Sequence, residues 1–233
     1  MNTPNDLRRQ DDHLSSARQR LIEAALPHVV FDGWSRASLS QAVQETGIDQ
    51  ATADLAFPRG GVDMAIGFHR MMDDALVAEL DGAELARMRI RERITHAVRR
   101  RIELIAPHRE AVRRAATLLA LPIYTPLGMR AIWDTADRIW TACGDTATDY
   151  NWYTKRAILT SVYSATVLYW LGDDSSESAA SWSFLDRRIE DVMQFEKTKA
   201  AVEKNPLARA ALWGPMQVLG MVRAPRRRAE SGL

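Results

Sequence analysis

Ser38-Leu39-Ser40-Gln41-Ala42-Val43-Gln44-Glu45-Thr46-Gly47-Ile48-Asp49-Gln50-Ala51-Thr52-Ala53-Asp54-Leu55-Ala56-Phe57 is punctuated as two short helices joined by a tight turn. Ser38 suits an N-cap, Gly47 a left-handed turn, and Asp49 the cap of the second helix. The pattern is a helix-turn-helix. A helix that reads DNA presents Arg, Lys, Asn or Gln to bases and phosphates, and phosphate neutralisation supplies most non-specific affinity. The second helix here offers Asp49 and Asp54 and no Lys or Arg; the nearest cations, Arg36 and Arg59, flank the motif. The motif therefore has the shape of a DNA reader without its charge, and the expectation is no nucleic-acid partner. A ligand-responsive repressor is the competing reading.

Working outward, apolar residues recur at helical spacing almost throughout, and no convincing period-2 run appears. The spacing predicts a first helix over 15–32 burying Leu21, Ala24, Ala25, Val29 and Phe31, with Pro27 as a kink and Gly33 as its end. Trp34 is expected to plug the small core of this head. Pro58-Arg59-Gly60-Gly61 is a hard stop. A long helix is predicted over 62–85. Another follows over 90–106, with Ile94, Ala97, Val98, Ile102 and Ile105 inward and an arginine-rich outer side. Further helices are expected near 110–120, 127–143, 152–171 and 178–202, the last two separated by acidic Gly172-Asp173-Asp174-Ser175-Ser176-Glu177. The chain thus divides into a flexible N-terminus (1–14), a helix-turn-helix head (15–58), a helical body (59–203) and a tail (204–233). A three-helix head before an all-helical body resembles the TetR-like fold. That likeness implies an all-α class, a ligand cavity in the body, and a dimer seam on 152–171 and 178–202, making a homodimer the expected state.

The net charge of +1 hides an asymmetry. From Lys197 onward eight basic residues face only Glu203 and Glu230, so the tail carries +6 and the remainder −5. Such a tail fits an acidic partner or an anionic surface. On a helical wheel, 206–222 gathers Leu207, Ala211, Val218, Leu219 and Val222 on one arc with Trp213 at its border, the pattern of a helix lying in a membrane interface. Those six are the expected membrane-binding residues, although Gly214-Pro215 weakens the helix. No apolar run reaches the length of a membrane span. The N-terminal segment is polar and carries Asp6, Asp11 and Asp12, which reads as neither a secretory signal nor an organellar transit peptide.

No constellation for catalysis is legible. The five histidines form no HExxH or closely paired ligand set, Gly60-Gly61 lacks the Lys-Ser/Thr of a phosphate loop, and lone Cys143 has no neighbouring base. Glu92 with His96 and His69 with Asp73 read as ordinary i,i+4 surface pairs. A di-iron carboxylate bundle would need Glu-x-x-His on two helices, a motif not found. The expectation is a non-enzyme without cofactor or metal.

The most distinctive stretch is Gly144-Asp145-Thr146-Ala147-Thr148-Asp149-Tyr150-Asn151-Trp152-Tyr153-Thr154-Lys155-Arg156. Asp149 suits an N-cap. Adjacent helical residues differ by about 100°, so Trp152 and Tyr153 are not expected to bury equally, and one should lie exposed beside Lys155 and Arg156 as an interface anchor. With Arg20 to Leu26, Gly33-Trp34, Leu121-Pro122 and Trp182-Ser183-Phe184-Leu185, this string resembles the lipid-binding accessory protein family of coenzyme Q (ubiquinone) biosynthesis over about 16–199. The resemblance implies a TetR-like dimer that no longer binds DNA. It further implies that isoprenoid quinone intermediates bind in the body and are presented to the pathway's di-iron hydroxylase at the membrane. By the same motif match a partner patch would include Trp152 and Tyr153, with Asp137 and Trp140 of the preceding helix expected beside it. Candidate lipid-lining residues are Phe68, Met71, Met72, Leu76, Leu118, Leu119, Leu121, Trp133, Val162, Val167 and Leu168; the same side chains could equally fill a solid core. The expected place is the cytoplasmic face of a bacterial inner membrane, or the matrix face of the mitochondrial one in a eukaryote.

Overall fold

The computed structural model describes residues 4–80 and 82–204. Ten α-helices follow one another: α1 (Pro4–Asp32), α2 (Arg36–Thr46), α3 (Gln50–Ala56), α4 (Gly61–Glu79), α5 (Gly82–Arg87), α6 (Ile90–Ile105), α7 (Arg109–Leu119), α8 (Thr125–Ala142), α9 (Tyr150–Leu171) and α10 (Ala179–Lys204). No strand occurs among the described residues, so the all-α expectation holds. The first helix begins at Pro4 rather than near residue 15 and runs on through Pro27. The helix expected over 62–85 is two, α4 and the short α5, with Gly82 opening the second. The membrane-binding candidates Leu207, Ala211, Trp213, Val218, Leu219 and Val222 lie outside the described residues.

The helix-turn-helix forms as its residues dictate, with one shift. Ser35, not Ser38, caps α2; Ser38 sits three residues on, and the two side chains exchange hydrogen bonds with each other's backbone amides in a capping box. Gly47 closes α2 in the left-handed region at φ 66°, and Asp49 caps α3 by accepting from the Thr52 amide. Asp49, Asp54 and Leu55 are all exposed on α3.

The chain forms two compact units. The first contains residues up to Glu79 together with Arg100–Thr135. Its apolar core includes Leu21, Ala25, Val29, Leu39, Ala42, Phe57, Met64, Phe68 and Leu76; each such large side chain contributes roughly 1.5–3 kcal/mol by leaving water. Phe31 was expected in this core but is exposed. It lies two residues beyond inward Val29, about 200° around the helix. Trp34 is buried as predicted, its ring centroid 5.5 Å from that of Phe68 and its Nε1 donating to the Ala111 carbonyl at 2.9 Å. The helix-turn-helix thereby shares one core with α4 and α7.

This unit also holds a buried polar network that the sequence reading misplaced. Asp73 and Arg101 are both almost wholly removed from water and paired at 2.7 Å. Arg101 therefore does not belong to the outer side of its helix, nor Asp73 to a surface pair. Thr135 donates its hydroxyl to Asp73 at about 2.9–3.0 Å, the His69 Nε2 lies 2.7 Å from that hydroxyl, and Arg101 also donates to the His69 carbonyl. Burial pushes the His69 imidazole down to about 4 despite the nearby Asp73 carboxylate. Glu92 was paired with His96 on spacing; instead its carboxylate accepts from the Arg89 amide and closes the first turn of α6.

The second unit contains Leu80–Arg99 and the chain from Ala136 onward. The acidic linker before α10 turns inward. Asp173 is buried and accepts from the Ser175 amide and from both the amide and hydroxyl of Ser181. These donors hold its carboxyl far below the ordinary carboxylate range. No described helix is long and apolar enough to cross a membrane.

Candidate functional site

The start of α9 is fixed by its own residues. Asp149 accepts from the Asn151 amide at 3.0 Å, which places Trp152, Tyr153, Lys155 and Arg156 in the first two turns. Arg156 is fully buried, correcting its expected place beside an exposed aromatic. Its guanidinium donates from Nε to Asp137 at 2.5 Å, and from Nη1 to Asp145 at 2.9 Å and the Trp152 carbonyl at 3.1 Å. The Trp152 ring lies 4.1 Å from the guanidinium carbon, and Tyr153 meets Trp152 edge to face at 4.8 Å. Trp152 and Tyr153 are accordingly both half-buried, so neither is the exposed member predicted. A cation–π contact and an aromatic pair let adjacent residues share one packed cluster despite their angular separation.

Asp145 anchors the other side. Lys155 donates to it at 2.7 Å while covering the Trp140 ring at 5.2 Å, and Trp140 donates from Nε1 to the Lys155 carbonyl at 3.0 Å. Burial alone would raise the Asp145 carboxyl, but hydrogen bonds from Lys155 and Arg156 outweigh it and hold the carboxyl below its usual value. The four predicted partner residues, Asp137, Trp140, Trp152 and Tyr153, are thus drawn together around Arg156, Lys155 and Asp145. Of the latter three, Lys155 and Arg156 were expected beside an exposed aromatic, and Asp145 had no assigned role. Cys143, just before them, is buried, and burial pushes its thiol up to about 11.

Against this cluster lies an apolar cavity of about 180 Å³. Ile90 and Ile94 of α6, Ile158, Leu159 and Val162 of α9, and Ile189 and Val192 of α10 line it, with Trp140, Asn151, Thr154, Lys155 and Arg91 completing the wall. Arg91 pairs with Glu190 across α6 and α10. Among the described residues no group of three or more His, Cys, Asp or Glu is placed to hold a metal ion.

Of the lipid-lining candidates, Val162 lines this cavity. Phe68 and Leu76 are packed in the core of the first unit. Met71 borders a groove of that unit with Arg18, Arg59, Arg70 and Asp74. Met72, Leu118, Leu119 and Trp133 are half-buried in the first unit and Val167 in the second, while Leu121 and Leu168 are exposed. Of the cavity's isoleucines, Ile94 was legible as part of an inward face. What spacing could not reveal is that three helices leave a space between them.

The COQ9 family model matches residues 125–196, the stretch that carries the Arg156 cluster and most of the cavity wall. Mitochondrial ubiquinone biosynthesis protein COQ9 of Rattus norvegicus is 29% identical over 195 residues, covering 80% of this chain and 62% of that protein. Human COQ9 is 28% identical over 193 residues, with 80% and 60% covered. COQ9 of Xenopus tropicalis is 30% identical over 183 residues, with 76% and 57% covered. The chain spans about three fifths of the length of these curated relatives. Among solved structures, a TetR transcriptional regulator from Nitrosomonas europaea superposes with a TM-score of 0.60 at 19% identity, covering 75% of this chain and 96% of that one, a likeness of fold alone. The chain is similar to the COQ9 ubiquinone biosynthesis proteins over most of its length and has a TetR-like all-helical fold.

Proposed function

We propose that this protein is a non-catalytic, lipid-binding accessory factor of ubiquinone biosynthesis that presents an isoprenoid quinone intermediate to the pathway's di-iron hydroxylase at a membrane surface. The observation that carries the reading is the apolar cavity beside the Arg156 cluster, most of whose wall comes from the segment that matches the COQ9 family. Its chemistry fits such a cargo. Isoleucine, leucine and valine offer apolar walls, while Asn151, Thr154 and Lys155 supply donors for a quinone oxygen. Its size sets a limit, since a cavity of about 150 Å³ takes a benzene-sized ring. This one would accept a head ring or the first isoprene units, and the rest of a polyprenyl tail would remain in the bilayer. Exposing that tail to water would cost about 0.8 kcal/mol per CH₂, so a shallow grip at the membrane suffices where full extraction would not. Asp137, Trp140, Trp152 and Tyr153 are the surface offered to the hydroxylase, their geometry held from beneath by Arg156. The tail, 206–222, is offered as an anchor on anionic lipid.

A direct test measures a short-chain isoprenoid quinone by its quenching of tryptophan fluorescence, with Trp140 in the cavity wall as the reporter. Saturable quenching is expected. Val162→Phe, which fills the cavity with apolar volume, should weaken binding at least tenfold at an unchanged melting temperature. Equal affinity in both proteins would remove the cavity as the cargo site.

A further inference from the structure

We propose that the turn joining α7 to α8 is a second membrane-contacting element, an apolar wedge that enters the interface of an anionic bilayer. It goes beyond the cargo function above and does not rest on it. The turn and the first residues of α8 present Leu121, Ile123 and Met129 at 48%, 76% and 53% exposure, with Ile123 between the exposed prolines Pro122 and Pro126. Several large apolar side chains exposed at one turn mark a surface suited to another phase or partner.

The backbone argues for lipid. A segment entering a bilayer must satisfy its own polar groups, because the hydrocarbon offers none. Here Leu121 donates to the Leu118 carbonyl, Tyr124 and Thr125 both donate to the Leu121 carbonyl, and Leu127 and Gly128 donate to that of Tyr124. The Thr125 hydroxyl is turned back as well, 3.1 Å from the Leu121 carbonyl and 3.3 Å from that of Ala120. Pro122 and Pro126 have no amide hydrogen to satisfy. The hairpin is also tight, since a Cβ on Gly128 would come 3.0 Å from the Leu119 Cβ. The tip is therefore a tight turn bonded on both sides of Ile123 rather than a strand edge awaiting a peptide.

The charge around it selects the lipid. Arg113, Arg114 and Arg130 flank the turn, and Glu110 and Asp134, which pair with them, lie just beyond the ends of 111–133. Arg130 has its side chain 75% exposed, and its bond to Asp134, like that of Arg113 to Glu110, is a surface pair of the weak kind. These guanidiniums can turn to lipid phosphates when the tip enters, and half-buried Tyr124 has the amphipathic ring found at headgroup depth.

The single native cysteine, Cys143, is buried, so Ile123→Cys allows an environment-sensitive dye to be placed at the tip of the full-length protein. On vesicles of phosphatidylglycerol and phosphatidylcholine, the emission should shift to the blue and be quenched by brominated acyl chains, with little change on phosphatidylcholine alone. Ile123→Asp should lower vesicle partitioning about tenfold at an unchanged melting temperature and unchanged quinone affinity. A dye that stays in water while the protein co-sediments with vesicles overturns the proposal, since contact is then made elsewhere on the chain. So does a blue shift that appears without vesicles and grows with protein concentration, which would make a second copy the occupant. Failure of the whole chain to bind any vesicle overturns the wedge together with membrane presentation. Quinone binding by the cavity would still stand or fall on its own measurement.

Discussion

Arg156 shows how one side chain organises a surface it does not itself reach. It is fully buried, yet it receives two carboxylates, a main-chain carbonyl and an aromatic face. A buried charge of this kind costs several kcal/mol in lost hydration and is tolerated only because its donors are met. Asp145 is its deepest partner, and Asp145→Asn tests the arrangement. At neutral pH the variant should lose about 2–3 kcal/mol, the low side of what breaking a buried pair costs, because half-exposed Lys155 keeps part of the site wet. The sign of the pH dependence follows from the lowered carboxyl. Its contribution is complete above the ordinary carboxylate range near 4 and is lost as pH falls through the still lower folded value. Urea unfolding at pH 7 and near pH 3 should show the gap between the two proteins closing at the acid end. A constant gap would mean that packing, not charge, is what Asp145 supplies. The sequence displayed these residues as a dense string of acids, bases and aromatics. It could not say that the arginine pointed inward, because burial depends on Asp137 and Asp145 arriving from another helix and from a turn.

At the scale of elements, caps and turns were legible and close approaches were not. Gly47 and Asp49 end and begin their helices as local rules require. The displacement of the α2 cap from Ser38 to Ser35 is also local, since both serines fit a capping box and only the entry angle of the chain selects between them. Gly61 is different. At the start of α4 its missing side chain lets the helix approach the Trp34–Ser35 turn that leads into α2, and a Cβ there would fall 1.9 Å from the Trp34 carbonyl oxygen. Backbone cannot yield as a flexible side chain does, so Gly61→Ala should destabilise by at least about 3 kcal/mol. A Cβ on Gly82 meets nothing within 4 Å, and Gly82→Ala should be neutral or gain up to about 1 kcal/mol. Urea midpoints of the two variants make the comparison, and similar values would deny the close contact between α4 and the Trp34–Ser35 turn.

At the scale of the whole molecule, charge is distributed against DNA and toward anionic lipid. The helix in the DNA-reading position exposes Asp49, Asp54 and the apolar Leu55, whereas the stretch from Lys197 onward carries +6 and the α7–α8 turn is flanked by Arg113, Arg114 and Arg130. Like charges facing a phosphate backbone remove the electrostatic part of binding that salt would otherwise modulate. In fluorescence titrations at low and moderate salt, duplex DNA should bind no more tightly than the micromolar range and without preference for sequence. Nanomolar, sequence-selective binding would restore the repressor reading. The TetR-like likeness does not decide the matter, since one fold serves many functions.

By itself the sequence determined the helical class, most helix boundaries, the helix-turn-helix with its unsuitable charge, and the signature over Gly144–Arg156. All of these rest on spacing of a few residues, where chain connectivity sets the geometry. Tertiary structure alone decided which polar groups are interior. Asp73 and Arg101 sit 28 positions apart and Arg156 and Asp137 19 apart, and each charge is affordable in the core only when its partner is brought to it. The cavity is likewise a property of the packing. Ile94 was readable as inward-facing, but an inward face becomes a binding site only where neighbouring helices leave a volume unfilled.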